Sequence, residues 1–513
     1  MKLVTSDQMR AIEAAAFAAG GTPEGLMEVA GRRVAEAVAA RLGGARAKRI
    51  LILVGPGNNG GDGLVAARYL HEEGADVRVL LLAPRSDADA NFRAARELEI
   101  DLIELDESTA GELVTRALLR CDAVIDAVLG IGRQRPLGGL VALVLGALPE
   151  RRCPLFAVDL PTGVNADTGA VDAHAAQADV TLTLGYSKLG LHLLPGSTFA
   201  GEVEVLDIGL DPALGADVDV EIMTSHWAGS VLPDRPLVSN KGTFGRVMVV
   251  AGSESYTGAA TLSCLGALRS GAGLVTLACI PAVRGAVAAW LPEVTYITLP
   301  EEGGALSAEA ATVIARALDG YDVLLVGPGL TQTQGVLSAV RTLLTLPALA
   351  GVPTVIDADG LNALAHVAAW HETIACKAVL TPHPGELARL VRKPVAEVQA
   401  DRLAVARQCA SRWRQTVVLK GAETVVAGQG GIKLSPFANA ALATAGTGDV
   451  LAGTIAGLLA QAVDRFTAAA LGVYLHGAAA ELYADDYGSS GLLASELGAA
   501  IAKVAASLRR REV

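Results

Sequence analysis

The feature that most constrains this chain is a rhythm. Short runs that are apolar throughout, each closed by a Gly- or Pro-marked loop, alternate with stretches whose apolar residues recur at helical spacing. In the first half the runs are 50–54 (ILILV), 77–83 (VRVLLLA), 122–129 (DAVIDAVL), 154–160 (PLFAVDL), 180–184 (VTLTL) and 202–208 (EVEVLDI). A second series follows at 245–251 (GRVMVVA), 321–326 (YDVLLV), 352–357 (VPTVID), 377–381 (KAVLT) and 416–419 (TVVL). A strand with no polar face is buried on both sides. Helices between such strands put the cover there, so the pattern predicts α/β architecture with parallel sheets.

Two such series need two cores, because 513 residues exceed what one core organises. The stretch 211–234 breaks the rhythm, with mixed polarity, Pro and Gly and no strong period. We therefore expect domains at 1–220 and 221–513. Before the first run, residues 7–42 read as two helices broken at Gly20-Gly21-Thr22-Pro23. Long Ala-rich helices close the chain. No short repeat is present, which excludes a solenoid.

Charge and cysteine usage narrow the function. The net charge is −12, and no long Lys/Arg run offsets it, so nucleic acid is not the expected partner. The six cysteines form no C-x-x-C pair, which argues against a zinc ribbon or thioredoxin chemistry. No signal peptide is recognised, so a cytoplasmic enzyme with reduced thiols is expected. The apolar stretch 450–463 is too short to span a bilayer and reads as a buried helix; no membrane association is expected. A small-molecule substrate and a homo-oligomeric state are the expectation.

The loop after the first central run is Gly55-Pro-Gly-Asn58-Asn59-Gly60-Gly61-Asp62-Gly63. Ligands of open parallel sheets bind beyond the strands' carboxyl ends. Glycines let backbone N–H groups approach an anion, while Asn58, Asn59 and Asp62 add polar groups that a mere turn does not need. The loop resembles the G-x-G-N-N-G-G-D-G signature of the NAD(P)H-hydrate epimerase family. The resemblance extends to 25–31 (GLMEVAG), 126–136 (DAVLGIGRQRP) and 159–163 (DLPTG), and covers residues 1–215.

That resemblance implies a Rossmann-like domain with a potassium ion held by Asn59, Asp126 and Thr162. These are hard oxygen donors, suited to such a cation rather than to zinc. The family more often has Ser at the Thr162 position. Asn58, Asn59, Gly60, Gly61, Asp62, Gly130, Ile131, Gly132, Arg133, Gln134, Arg135 and Pro136 would cradle the hydrated coenzyme. Asp159, at a run's end, is the expected acid/base, with capping of the next turn as its alternative. Lys188, in 185–190 (GYSKLG), is either a second pocket group or a surface lysine.

In the second half, 445–453 (AGTGDVLAG) sets a Gly-Thr-Gly segment directly before a helix. Free N–H groups at that positive dipole end make an anion hole, and Asp449 can take a proton from an attacking hydroxyl. The G-x-G-D arrangement resembles the ribokinase-like superfamily. The ordered set 241–245 (KGTFG), 256–260 (YTGAA), 271–276 (GAGLVT), 327–330 (GPGL), 357–362 (DADGLN), 381–386 (TPHPGE) and 420–424 (KGAET) resembles the ADP- or ATP-dependent NAD(P)H-hydrate dehydratases over residues 225–508.

This second resemblance implies that Lys420, Gly421, Ala422, Glu423, Thr424 and Gly448 bind the nucleotide. It puts Ala259, Gly329, His383 and Asp449 at the hydrate, with Asp449 as base. Asp357 and Asp359 either help bind magnesium through water or cap strand ends. The joint expectation is a bifunctional repair enzyme. It would epimerise the R and S hydrates of NADH and NADPH and dehydrate the S form with ADP and magnesium, releasing AMP and phosphate. The alternatives are a ribokinase-like small-molecule kinase fused to a nucleotide-binding module, and a non-enzymatic binding module in the first half.

Overall fold

The computed structural model describes residues 1–132 and 136–511. The chain divides into two compact units, Met1–Val220 and Glu221–Val513.

The first unit is built on a seven-stranded sheet. Its spatial order is Asp101–Glu104, Asp76–Leu81, Arg49–Val54, Ala123–Ala127, Leu155–Val158, Val180–Leu184 and Glu202–Leu206. Every neighbouring pair is parallel. Side chains of Arg49–Val54 alternate between two cores. Ile50, Ile52 and Val54 pack into one, under the helices Pro23–Arg41 and Asn58–Glu72. Leu51 and Leu53 pack into the other. Strand order reverses at Arg49–Val54, whose sequence successor lies on one side and the next sequence crossover on the other. The crevice that this opens at the carboxyl ends of Arg49–Val54 and Ala123–Ala127 is where a doubly wound sheet binds its ligand.

Two helices precede the sheet, Ser6–Ala18 and Pro23–Arg41. Thr5 caps the first in a capping box with Gln8. Thr22 caps the second, with Pro23 as its first residue. Leu3–Val4 pairs in parallel with Ser187–Lys188, which ties the chain's start to the end of the sheet.

The second unit carries a ten-stranded sheet in the order Val220–Ile222, Gly431–Leu434, Val425–Gly428, Thr416–Leu419, Ala378–Leu380, Thr354–Ile356, Val323–Val326, Arg246–Val250, Leu274–Cys279 and Thr295–Thr298. It is parallel from Thr416–Leu419 onward, and the hairpin Val425–Leu434 adds antiparallel strands. Sequence reading passed over the strands Asp101–Glu104, Val220–Ile222, Leu274–Cys279 and Thr295–Thr298 and the hairpin; the shortest of these carry too few residues to set a period.

The apolar stretch at 450–463 falls mostly in the helix Thr447–Ala460, which is buried from Val450 to Ala460. It crosses Thr257–Ser270 so closely that a Cβ on Gly453 would lie 2.0 Å from the Ser263 carbonyl oxygen, and one on Gly266 2.3 Å from that of Val450. Among the described residues no helix is long and apolar enough to cross a membrane.

Candidate active sites

In the first unit the N-N-G-G-D string is not a loop. It forms the first turns of the helix Asn58–Glu72, so its free N–H groups face the switch-point crevice. Glycine costs about 1 kcal/mol inside a helix, and here packing requires it. A Cβ on Gly60 would lie 2.1 Å from the Gly55 carbonyl oxygen, and one on Gly63 2.5 Å from Ala127 Cβ. Arg85 secures the turn, donating from Nη2 to the carbonyls of Gly55 (2.6 Å) and Gly57 (2.8 Å) and pairing with Asp89.

Asp126 ends the adjacent strand and is fully buried. Its Oδ2 accepts from the Thr162 amide (2.8 Å). Its Oδ1 accepts from the Thr162 hydroxyl (2.7 Å) and the Val128 amide (3.2 Å). Burial pushes its pKa up, and those neutral donors pull it part of the way back. Among the described residues no basic side chain pairs with it. Asn59 is buried beside Gly130, and its Nδ2 has no hydrogen-bond partner among the described residues.

Asp159 follows the strand Leu155–Val158 in the left-handed conformation, φ 68°. Its Oδ1 pairs with Lys188 Nζ and accepts from the Leu184 amide (3.1 Å) and the Thr183 hydroxyl (3.4 Å). Asp62 is buried, and its pKa is driven well above the carboxylate range, first by burial and then by the charges of Asp159 and Glu13. Burial also raises Glu13 on the first helix, with Lys188 opposing it and Asp159 adding to it. Gly130, Ile131 and Gly132 lie at the end of the Asp126 strand loop, and Pro136 is exposed. Arg133, Gln134 and Arg135 lie outside the described residues.

In the second unit the helix Thr447–Ala460 opens after Gly446, and His476 Nε2 lies 2.9 Å from the Thr447 carbonyl, anchoring that opening. Around it gather Asp449, Lys420, Asp357 and Glu386. Lys420 Nζ donates to Asp357 Oδ1 at 2.7 Å and stands 4.0 Å from Glu386. A Cβ on Gly448 would lie 3.4 Å from that same Nζ, so the lysine reaches the helix start. Burial works against the Lys420 charge, but Asp357, Glu386 and Asp449 outweigh it and raise its pKa. Asp449 is pushed up to about 7, chiefly by burial and then by Asp357, with Lys420 opposing. Glu386 rises to about 6, also chiefly through burial.

His383 caps the helix Pro384–Val391. Its Nδ1 accepts from the Gly385 amide (3.0 Å), while Glu386 Oε2 accepts from the His383 amide (2.8 Å). Burial and the nearby Lys420 lower its pKa, so the ring is neutral with its proton on Nε2. Asp359 is engaged in the next loop. Its Oδ2 accepts from the Thr331 amide (2.8 Å) and its Oδ1 from Asn362 (3.1 Å). Gly329 packs against Ala259, whose Cβ would lie 2.7 Å from a Cβ at that glycine. The turn after Lys420 holds Gly421, Ala422, Glu423 and Thr424. The Thr424 hydroxyl donates to Gly421 O (2.7 Å), and Arg402 Nη2 donates to Leu419 O (3.1 Å) beneath the turn.

Comparison with known proteins matches each unit to a family. The model for the YjeF-related protein N-terminus matches residues 23–190, and that for NAD(P)H-hydrate dehydratase matches 247–503. The bifunctional NAD(P)H-hydrate repair enzyme of Moorella thermoacetica is 41% identical over 507 residues, covering 97% of this chain and 95% of its own length. The chain belongs to the bifunctional NAD(P)H-hydrate repair enzyme family. Its Escherichia coli member is 34% identical, with 89% of this chain and 85% of that one covered. Among solved structures, a hypothetical protein from Streptococcus mutans is 29% identical at a TM-score of 0.50, covering 56% of this chain and 100% of its own.

Among the described residues, those singled out in sequence fall into two groups, one in each unit. Four participants lacked a sequence signal strong enough to single them out. Glu13 sits in an Ala-rich helix, Arg85 and Arg402 hold backbone turns from a distance in sequence, and Glu386 stood in the 381–386 string without a role of its own. Lys188 is 1% exposed, which rules out the surface-lysine reading.

Proposed function

We propose that this chain repairs hydrated nicotinamide coenzymes. The first unit, residues 1–220, interconverts the R and S hydrates of NADH and NADPH. The second, residues 221–513, dehydrates the S form at the expense of ADP. The observation that carries the reading is a partly buried carboxyl group, Asp449, with a pKa pushed up to about 7, at a helix N-terminus that Lys420 also reaches.

Asp449 takes the proton from the hydrate's hydroxyl as that oxygen attacks the terminal phosphorus of ADP, and AMP leaves. The phosphate ester then departs as phosphate, the adjacent ring carbon gives up a proton to solvent, and the ring double bond re-forms. Helix N–H groups and Lys420 stabilise charge on the transferring group. Magnesium, when bound with the nucleotide, would neutralise charge on its phosphates. Asp357 is the better second-sphere candidate, because both oxygens of Asp359 are already engaged.

In the first unit Asp159 moves the proton at the hydroxyl or ring nitrogen during epimerisation. The donor set Asn59, Asp126 and Thr162 fits potassium. It offers hard oxygens to a cation, and among the described residues no basic side chain pairs with its one carboxylate, which is buried. When bound, the ion would supply positive charge beside the coenzyme's anionic groups. The six free cysteines fit a reducing cytosol.

The test is recovery of dihydronicotinamide absorbance from a mixture of both hydrate epimers with ADP and magnesium, with spontaneous epimerisation subtracted. Full recovery is expected. Recovery of the S form alone would leave the first unit without epimerase activity. A stable phosphorylated product would make the second unit a kinase.

A further inference from the structure

Lys188 is buried at the level of a core leucine, yet it carries a charge. Its backbone is fixed by pairing with Leu3–Val4, two residues that are themselves buried. Its Nζ donates to the Leu184 carbonyl at 2.9 Å, lies 3.4 Å from the Thr183 hydroxyl, and pairs with Asp159 Oδ1. Burying a lysine this deeply is unfavourable unless it is paired and hydrogen-bonded. A chain that needed only stability here would place an apolar side chain.

Among the described residues, the side-chain hydrogen bonds and ion pair of the Asp159 carboxylate fall on one oxygen. Lys188, the Leu184 amide and the Thr183 hydroxyl converge on Oδ1. Asp159 itself is held at φ 68°, a conformation that a non-glycine residue adopts at a cost. Both features spend stability to fix one orientation of one carboxylate. The lysine also faces Asp62 and Glu13, so its charge opposes the repulsion among three acidic groups that crowd this pocket.

We propose that Lys188 is a positioning residue for Asp159, clamping Oδ1 so that Oδ2 meets the substrate as the acid/base group. This rests on the epimerase reading of the first unit. The role differs from that of a phosphate-binding lysine, because the Nζ is spent on protein oxygens and turns away from bulk solvent. It also explains the pairing of Leu3–Val4 with Ser187–Lys188, which fixes the lysine from the backbone side.

A double-mutant cycle tests the assignment. The rate of absorbance recovery from purified R epimer, with ADP and magnesium in excess, is measured for the full chain and for Lys188→Met, Asp159→Asn and the pair together. Rates are corrected for spontaneous epimerisation and normalised to each preparation's S-epimer dehydration. Lys188→Met is expected to lower kcat about a hundredfold with little change in KM. Added to Asp159→Asn, it should cost almost nothing more, since the lysine acts through that carboxylate. Because the single variant leaves a buried acid uncompensated, the doubly substituted chain, which lacks both charges, is the control for folding, followed by its melting temperature. Multiplicative losses, a change confined to KM, or unaltered kcat would overturn the proposal. If the unsubstituted chain does not consume the R epimer, the epimerase reading falls and takes this inference with it. If it does and Lys188→Met matches it, only the inference falls.

Discussion

Single residues carry the chemistry through their surroundings. Asp449 titrates near 7 because burial penalises its charge and Asp357 repels it. A base must be ionised, so dehydration should rise with pH through about 7 and level off above it, which a pH–rate profile of S-epimer dehydration checks. The same shift has a cost. A carboxyl group whose pKa is raised on folding loses stability progressively as pH climbs from its unfolded value, about 4, to its folded one. Asp449→Asn removes that cost along with activity. Its melting temperature should exceed that of the unsubstituted chain by more at pH 8 than at pH 5. In the first unit, Asp126→Asn should weaken any potassium dependence of epimerisation by more than about tenfold, read as the K+ concentration giving half-maximal rate in choline-balanced buffer. A rate equal in choline and in potassium would remove the ion from the account.

At the level of elements, two contacts decide what can change. The crossing of Thr447–Ala460 over Thr257–Ser270 depends on glycines whose missing side chains let backbones touch. Gly453→Val should cost about 3 kcal/mol or more, since the obstruction is backbone that cannot rotate away; thermal denaturation gives the number. The second contact lies at the amino ends of neighbouring parallel strands, away from the candidate site. Cys121 precedes Ala123–Ala127 and Cys153 precedes Leu155–Val158, with the sulfurs 3.3 Å apart and both residues half-buried. Diamide should join them, two thiols giving one disulfide as the reagent is reduced to its hydrazine. Peptide mapping would find that link, and Cys153→Ser should abolish it. The sequence alone gave no hint of this pair, because 31 residues separate two cysteines that only strand register brings together.

For the molecule as a whole, two sheets with their own cores predict two separable activities. Residues 1–220 expressed alone should epimerise, and residues 221–513 alone should consume only the S form, leaving the R form to the slow spontaneous reaction. Much of this was readable from the chain. Apolar runs such as 50–54 and 323–326 could be satisfied only by strands buried on both faces, so parallel sheets followed from solvent exclusion alone. The strings around Asn59 and Asp449 pointed to the candidate sites through the particular order of their polar residues and glycines, which resembles family motifs. Short strands such as Thr295–Thr298 stayed hidden, since four residues cannot establish a period. What tertiary structure alone decided is which distant groups share a site. The sequence puts Lys188 29 residues from Asp159, and Lys420 63 residues from Asp357. Parallel strands separated by helical crossovers return each chain segment to the same sheet end, so electrostatic neighbours are set by strand order. The sequence thus determined the fold class and the chemical parts; the packed sheets decided their pairing, because ionic and hydrogen-bond energies depend on distance and burial, which have no local signature in the chain.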